Sequence, residues 1–283
     1  MNMLSPGTDL GKLGAENARA YQEAEPFPNI KFPNFFDPAM LDEVLKEFPD
    51  LSQKKNIAKY DNPNERKLAS KGEALFGPVT KRLAHFLNSQ PMLEFLQKLT
   101  GIQETLIPDA YFEGGGYHEI KPGGLLKIHS DFNKDYRTGL DRRINLLVYL
   151  NKDWEESYGG HFELWDREMK RAVRRVLPTF NTVAIFSTTD FSYHGHPDPL
   201  TCPPDRSRKS IALYYYSNGR PAQEVNAGLE DHSTLFKGRQ GVRDDVREEA
   251  AGKPAGSLLK DCIPPVVLRA MKKWKRPPEP AER

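Results

Sequence analysis

Between about residues 104 and 218 the chain carries a series of short runs: "GGLLKIHSDF", "RRINLLVYLN", "GGHFELWD", "RRVLPTF", "TVAIFST" and "KSIALYYYS". Each is rich in β-branched or aromatic residues and is bounded by Gly, Pro, Asn or Asp, the pattern of successive strands and turns. No long helical pattern interrupts them, so a mainly β fold of the sandwich or jelly-roll kind is expected. The residues before Gly101 read differently. "DPAMLDEVLKEF" places Met40, Leu41, Val44, Leu45 and Phe48 at helical spacing behind Asp37 as N-cap, with Pro38 at the first helical position. "GPVTKRLAHFLNSQPMLEFLQKLTG" reads as two further helices split near Asn88 and Pro91, with Gly101 as C-cap. The Pro-rich, aromatic "PFPNIKFPNFFDP" reads as an extended segment leading into the first of these helices. The expected organisation is one integrated domain in three zones. Residues 1–103 supply the lead-in and supporting helices, and 104–220 the β core. Residues 221–283 form a polar extension, ending in a basic helix with Val267, Met271 and Trp274 on one face.

With 283 residues the chain can bury a substantial core. Its 41 Lys and Arg against 39 Asp and Glu leave a formal charge of +2, which argues against a dedicated nucleic-acid binder. Two cysteines, Cys202 and Cys262, make no disulfide framework and fit a reducing compartment. The start, "MNMLSPGTDLGKLG", lacks the apolar stretch of a signal peptide, and no run reaches the ~18 apolar residues of a membrane span. A cytoplasmic protein with no membrane contact is expected.

One strand ends unusually, on His129-Ser130-Asp131. Residues i and i+2 of a strand share a face, so His129 and Asp131 point the same way. Two metal-competent side chains on one face call for a third, and "TTDFSYHGHPDPL" offers His194 and His196. Two His and one carboxylate leave three open positions on iron, the facial arrangement of non-heme Fe(II) oxygenases, although zinc enzymes use the same donors. Of the remaining histidines, His85 and His232 read as ordinary and His161 as structural. Downstream, Arg208 opens a strand that reads as buried. A buried guanidinium needs an anionic partner, and its planar fork suits a carboxylate. A dicarboxylate could then chelate iron at one end and meet Arg208 at the other.

The order His129-x-Asp131, then His194, then Arg208-x-Ser210 resembles the signature of the 2-oxoglutarate/Fe(II) dioxygenase superfamily. "LLVYLNKDWEESYGGHFELW" (146–165) is similar to a segment of its prolyl-hydroxylase-type branch. The resemblance implies a double-stranded β-helix core, cupin-like, packed against the N-terminal helices. It also implies Fe(II), 2-oxoglutarate and O2 as cofactor and cosubstrates, with ascorbate as a stimulant. On it, His129, Asp131 and His194 are the metal ligands, with His196 turned to the rim. Arg208 holds the distal carboxylate of 2-oxoglutarate and Tyr149 hydrogen-bonds to it, while Asn145 and Ser210 line the same site. One departure stands out. Relatives often carry a Tyr nine or ten residues before the first His, where this chain has Ile120 and Glu119, leaving Tyr117 or His118 to compensate. The nucleic-acid demethylase branch adds a second Arg where this chain has Tyr214.

The implied reaction is hydroxylation of an unactivated C–H bond, with release of succinate and CO2, on an amino-acid, peptidyl, glycan or other small-molecule substrate. Retention of Asp131 favours hydroxylation over halogenation. Two other classes share these residues: a non-catalytic cupin-like protein that binds a small carboxylate, and a zinc hydrolase. The other conspicuous residues read more plainly. Gly159-Gly160 is a tight strand connection, and Gly114–Gly116 a turn near the pocket mouth. Arg171, Arg174 and Arg175 form a solvated face, while Trp154 and Trp165 pack. "KYDNPNERKLASKG" is expected to shape the entrance.

Overall fold

In the computed structural model, alternation along each central strand divides its side chains between two layers. Residues 2–225, 231–243 and 245–247 are described, and the expected terminal helix and Cys262 lie outside them. The α-helices are α1 (Leu10–Gln22), α2 (Pro38–Glu47), α3 (Pro78–Leu87) and α4 (Gln90–Thr100). The first strands are β1 (Asn29–Pro33), β2 (Ala58–Asp61), β3 (Arg66–Ala69), β4 (Ile107–Pro108), β5 (Gly116–Ile120), β6 (Leu126–Ser130) and β7 (Asp141–Tyr149). They are followed by β8 (Phe162–Trp165), β9 (Ala172–Val176), β10 (Thr182–Ser187), β11 (His194–His196), β12 (Arg208–Ser217) and β13 (Leu235–Phe236).

Two antiparallel sheets result. The larger runs β1-β10-β7-β12-β5-β3-β2 with β4 on β12, and the smaller runs β13-β6-β11-β8-β9. Strands from β5 to β12 pass back and forth between the sheets, as in a double-stranded β-helix. On β7, Ile144, Leu146 and Val148 join the core formed with Met40 and Leu41 of α2, Leu83 of α3 and Phe95 of α4. The alternate residues Asn145, Leu147 and Tyr149 face the space between the sheets. β10 divides the same way, with Val183 and Ile185 toward the helices and Ala184 and Phe186 toward the interior. Strands covered on both faces lose their polar face, which is why "TVAIFS" and "IALYYY" read as continuous apolar runs.

The helices behind this sheet begin and end where their caps dictate. The Asp37 carboxylate accepts from the Met40 amide, Pro38 stands in the first turn, and Gly101 closes α4 in the left-handed region at φ +71°. Residues before Gly101 are less uniformly helical than their pattern suggests. The expected extended lead-in is β1, paired antiparallel with β10, but the β2–β3 hairpin, which extends the larger sheet through β5, lies outside the helical pattern. The hairpin strands "AKYD" and "RKLA" are short and charged, so neither shows a readable period. Helix α1 has no counterpart in the sequence reading because Gly11 and Gly14 interrupt its pattern. Its contact with α4 explains Gly14, where a Cβ would stand 3.0 Å from the Phe95 carbonyl oxygen. No helix among the described residues is long and apolar enough to cross a membrane.

Candidate active site

Antiparallel pairing of β6 with β11 sets His194 directly opposite His129, and Asp131 follows one residue beyond the end of β6. One ligand atom from each of the three residues falls within 4.8 Å of the others. The tautomers are held from behind. His129 Nδ1–H donates to the Lys127 carbonyl and His194 Nδ1–H to the Ser192 carbonyl, each at 2.8 Å. Both Nε2 lone pairs are thereby directed at the carboxylate, 3.6 Å and 3.4 Å from Asp131 oxygens. The rings of Phe162 and Phe186 wall His194 at centroid distances of 5.7 and 4.6 Å. This donor set fits a divalent metal of the iron type: two neutral imidazoles, one carboxylate, and second contacts that fix each.

Asp131 is tied further. Its Oδ2 accepts from Asn145 Nδ2 at 2.7 Å and pairs with an Arg142 nitrogen at 3.2 Å. Burial alone would raise the Asp131 pKa. The Arg142 charge, with His194 and His129, outweighs burial and holds the carboxyl well below its usual range. Arg142 is 1 % exposed; its Nε donates to Asn145 Oδ1, and its guanidinium lies 4.3 Å from the Phe132 ring centre and 3.5 Å from that of Tyr214. Nothing in the run "RRINLLVYLN" singles out Arg142. A register shift between Tyr215 and Tyr216 of β12, opposite Ile144 and Arg142, breaks the alternation. That shift lets Arg142 and Asn145, three residues apart, meet on one face.

The second anchor lies in the same interior. Arg208 is buried, and its Nε donates to the Gly160 carbonyl at 2.8 Å while another nitrogen reaches the Tyr149 hydroxyl at 3.4 Å. No carboxylate among the described residues pairs with it, and burial lowers its pKa. Gly160 explains the double glycine. It sits at φ +69°, and a Cβ there would stand 3.0 Å from Arg208 Cδ and 2.5 Å from Leu200 Cδ2. Tyr149 packs with Phe162 and Phe186, so the Arg208 end and the His194 end share one apolar wall. Ser210 is buried, paired in register with Tyr149 on one side and His118 on the other.

The two candidates for the missing tyrosine face opposite ways. Tyr117 packs on Phe48 and Phe76 beneath the helices and donates to Thr80 Oγ1, whereas His118 has Arg208, Arg142 and Lys67 as its charged neighbours. Glu119 also faces away, accepting from the Leu51 amide and the Ser207 hydroxyl. His196 is 3 % exposed, buried rather than at the rim, and burial followed by the charge of Arg208 pushes its pKa well down. Gly114 lines a cleft of about 500 Å³ with Tyr60, Phe132, Tyr136 and His232, and its carbonyl accepts from Tyr214 and His118. Tyr60 of the β2–β3 hairpin thus contributes to the cleft beside Phe132. His161 pairs with Glu156, His85 with Glu73 and His232 with Asp190.

Burial lowers the pKa of both His118 and His194 from the usual 6.5 to about 3. A depressed imidazole is neutral in the folded chain, while the unfolded chain takes up its proton below pH 6.5. The metal-free protein is therefore expected to lose stability as pH falls through that value, by about 2 kcal/mol per imidazole near pH 5. Thermal melts of metal-free protein between about pH 7.5 and pH 5 read this, and an unchanged midpoint would refute it.

Residues 115–216 match the profile described as the 2OG-Fe(II) oxygenase superfamily. Mouse prolyl 3-hydroxylase OGFOD1 is 27 % identical over 109 residues, covering 34 % of this chain and 20 % of that protein, so the match spans about a fifth of the relative's length. The fold is similar to a Pseudomonas putida prolyl-4-hydroxylase, with TM-score 0.53 and 14 % identity over 75 % of this chain and 100 % of that one. It is also similar to a Trichoplax adhaerens prolyl hydroxylase solved with a hypoxia-inducible-factor peptide, at TM-score 0.53 and 16 % identity over 74 % and 90 %. These two likenesses establish the double-stranded β-helix fold.

Proposed function

We propose that the chain is an Fe(II)- and 2-oxoglutarate-dependent hydroxylase of the 2OG-Fe(II) oxygenase superfamily, whose profile residues 115–216 match. His129, Asp131 and His194 would hold the metal. Arg208 and Tyr149 would hold the distal carboxylate of the cosubstrate. The observation that carries this reading is Arg208: a buried guanidinium with no carboxylate partner among the described residues, in the same interior as a His-Asp-His cluster. A charge so placed is costly unless an anion completes it, and a 2-oxo dicarboxylate has one end for each feature. Bound there, Fe(II) would supply O2 activation, coupled to decarboxylation of the 2-oxo acid to succinate and CO2.

The chain's own residues do the rest. The Lys127 and Ser192 carbonyls hold the two imidazoles in the tautomer that presents Nε2. Asn145 and Arg142 hold one Asp131 oxygen, steadying the carboxylate and keeping it ionised. Phe162, Phe186 and Leu164 exclude water from the wall between the two anchors. Substrate would enter through the cleft beside Phe132, whose aromatic lining of Tyr60 and Tyr136 suits a flat, partly apolar group. With the prolyl hydroxylase named above among its relatives, prolyl peptides and free proline are the first substrates to try. A cytoplasmic setting fits the free thiol of Cys202.

Succinate release is the test, measured with Fe(II), 2-oxoglutarate and O2 supplied together and each omitted in turn. Release is expected only with all three present, and a prolyl substrate should raise it severalfold. Turnover that persists without oxygen would favour a zinc hydrolase, and 2-oxoglutarate binding without any succinate would favour a binding protein.

A further inference from the structure

Every buried histidine described in the barrel except one has a hydrogen-bond partner for at least one ring nitrogen. His129 uses the Lys127 carbonyl, His194 the Ser192 carbonyl and His161 the Glu156 carboxylate, and the half-buried His118 uses the Gly114 carbonyl. His196 is 3 % exposed, and neither of its ring nitrogens has a partner among the described residues. A neutral imidazole always carries one N–H, and leaving that donor buried and unmade costs free energy. The backbone is nonetheless built to put this ring inside. Pairing of β11 with β6 shifts by one residue between His194, opposite His129, and His196, opposite Leu126. Gly195 sits in that bulge because a Cβ would stand 2.7 Å from the Leu126 carbonyl oxygen and 2.8 Å from that of Lys127.

The ionisable groups that bear electrostatically on His196 are Arg208, Lys67 and His129. Lys67 already has Glu65 at 3.2 Å. Arg208 spends Nε on Gly160, reaches the Tyr149 hydroxyl with another nitrogen and has no carboxylate partner among the described residues. An unmade N–H donor and a cation with no carboxylate partner among the described residues therefore share one buried interior, and one anionic ligand would complete both.

We propose that His196 donates a ring N–H to the distal carboxylate of the 2-oxo acid, as a third anchor beside Arg208 and Tyr149. This inference rests on the 2-oxo-acid reading of the site. It makes His196 a cosubstrate-binding residue, and it accounts for a buried ring neither of whose nitrogens has a partner among the described residues.

The test is anaerobic calorimetric titration of 2-oxoglutarate into the full-length protein loaded with Mn(II), together with thermal melts of the ligand-free protein. His196→Val removes the donor, and His196→Gln keeps an N–H. Val is expected to raise the 2-oxoglutarate Kd about tenfold, roughly 1.4 kcal/mol. It should also raise the ligand-free melting midpoint, because the unmade donor is gone. Gln should recover part of the lost affinity. A Kd within twofold of wild type in both variants would overturn the inference. A Val variant that melts lower, with Gln no better than Val in affinity, would assign the ring to packing and overturn it too. If Val fails to fold, His196→Leu takes its place as the variant without a donor: affinity lost in Leu and partly recovered in Gln supports the donor role, and a Leu affinity within twofold of wild type, or a Gln no better than Leu, opposes it. Arg208→Met separates the two readings. If it weakens binding while His196→Val does not, this inference alone fails. If wild-type protein binds no 2-oxoglutarate, the functional reading fails and takes this one with it.

Discussion

Asp131→Ala should abolish metal capture and also destabilise the metal-free chain, by about 3–5 kcal/mol. The first effect follows from losing one of three donors, the one within 3.6 Å of both imidazole Nε2 atoms. The second has a separate cause. Arg142 is 1 % exposed and meets its charge partner in Asp131, 3.2 Å away. Removing the carboxylate leaves a guanidinium between two aromatic rings, hydrogen-bonded to Asn145 but with no carboxylate beside it among the described residues. His194→Ala should lose the metal equally while leaving no buried charge behind, so its melting midpoint should stay well above that of Asp131→Ala. Metal titration and thermal melts of the two variants side by side read both effects. Equal midpoints would show that the Arg142–Asp131 pair contributes nothing to stability.

Arg208→Met is expected to have opposite effects on binding and on stability. Truncating one partner of a buried, hydrogen-bonded charge pair costs about 2–5 kcal/mol in binding, at least roughly thirtyfold in the 2-oxoglutarate Kd. In the ligand-free chain Arg208 has no anion to lose among the described residues, where its partners are the Gly160 carbonyl and the Tyr149 hydroxyl. Met fills similar space without a charge to desolvate, so the ligand-free protein should be more stable, by about 1–4 kcal/mol if it behaves like other buried charges replaced by apolar groups. A paired structural arginine would behave the other way, with both quantities falling. Melts with and without saturating 2-oxoglutarate read the sign directly: wild type should gain several degrees from the ligand and Arg208→Met almost none.

Much of the layout was legible because it is local. Asp37 with Pro38 and the Asn88–Pro91 break mark helix ends through capping and backbone geometry, which neighbours in sequence decide. The strand runs were legible for the same reason. The β2–β3 hairpin and α1 were not. Four-residue strands with charged ends carry too little pattern, and the glycines of α1 make sense only against α4, some eighty residues away.

By itself the sequence determined which chemical groups the site could use. A His and an Asp two apart on a strand must share a face, and an arginine within an apolar strand must seek an anion; neither depends on the rest of the chain. What it left open was which residue of each later pair would serve. His194 rather than His196 stands opposite His129 because β11 pairs with β6 in that register, with the shift at Gly195. His118 rather than Tyr117 shares the interior with Arg208 because β5 pairs with β12 on that face. Arg142 meets Asp131 only because a register shift on β7 breaks the strand's alternation. Register and bulges are set by contacts between strands distant in sequence, and one residue of shift exchanges inside for outside. For that reason the tertiary structure alone decided these three.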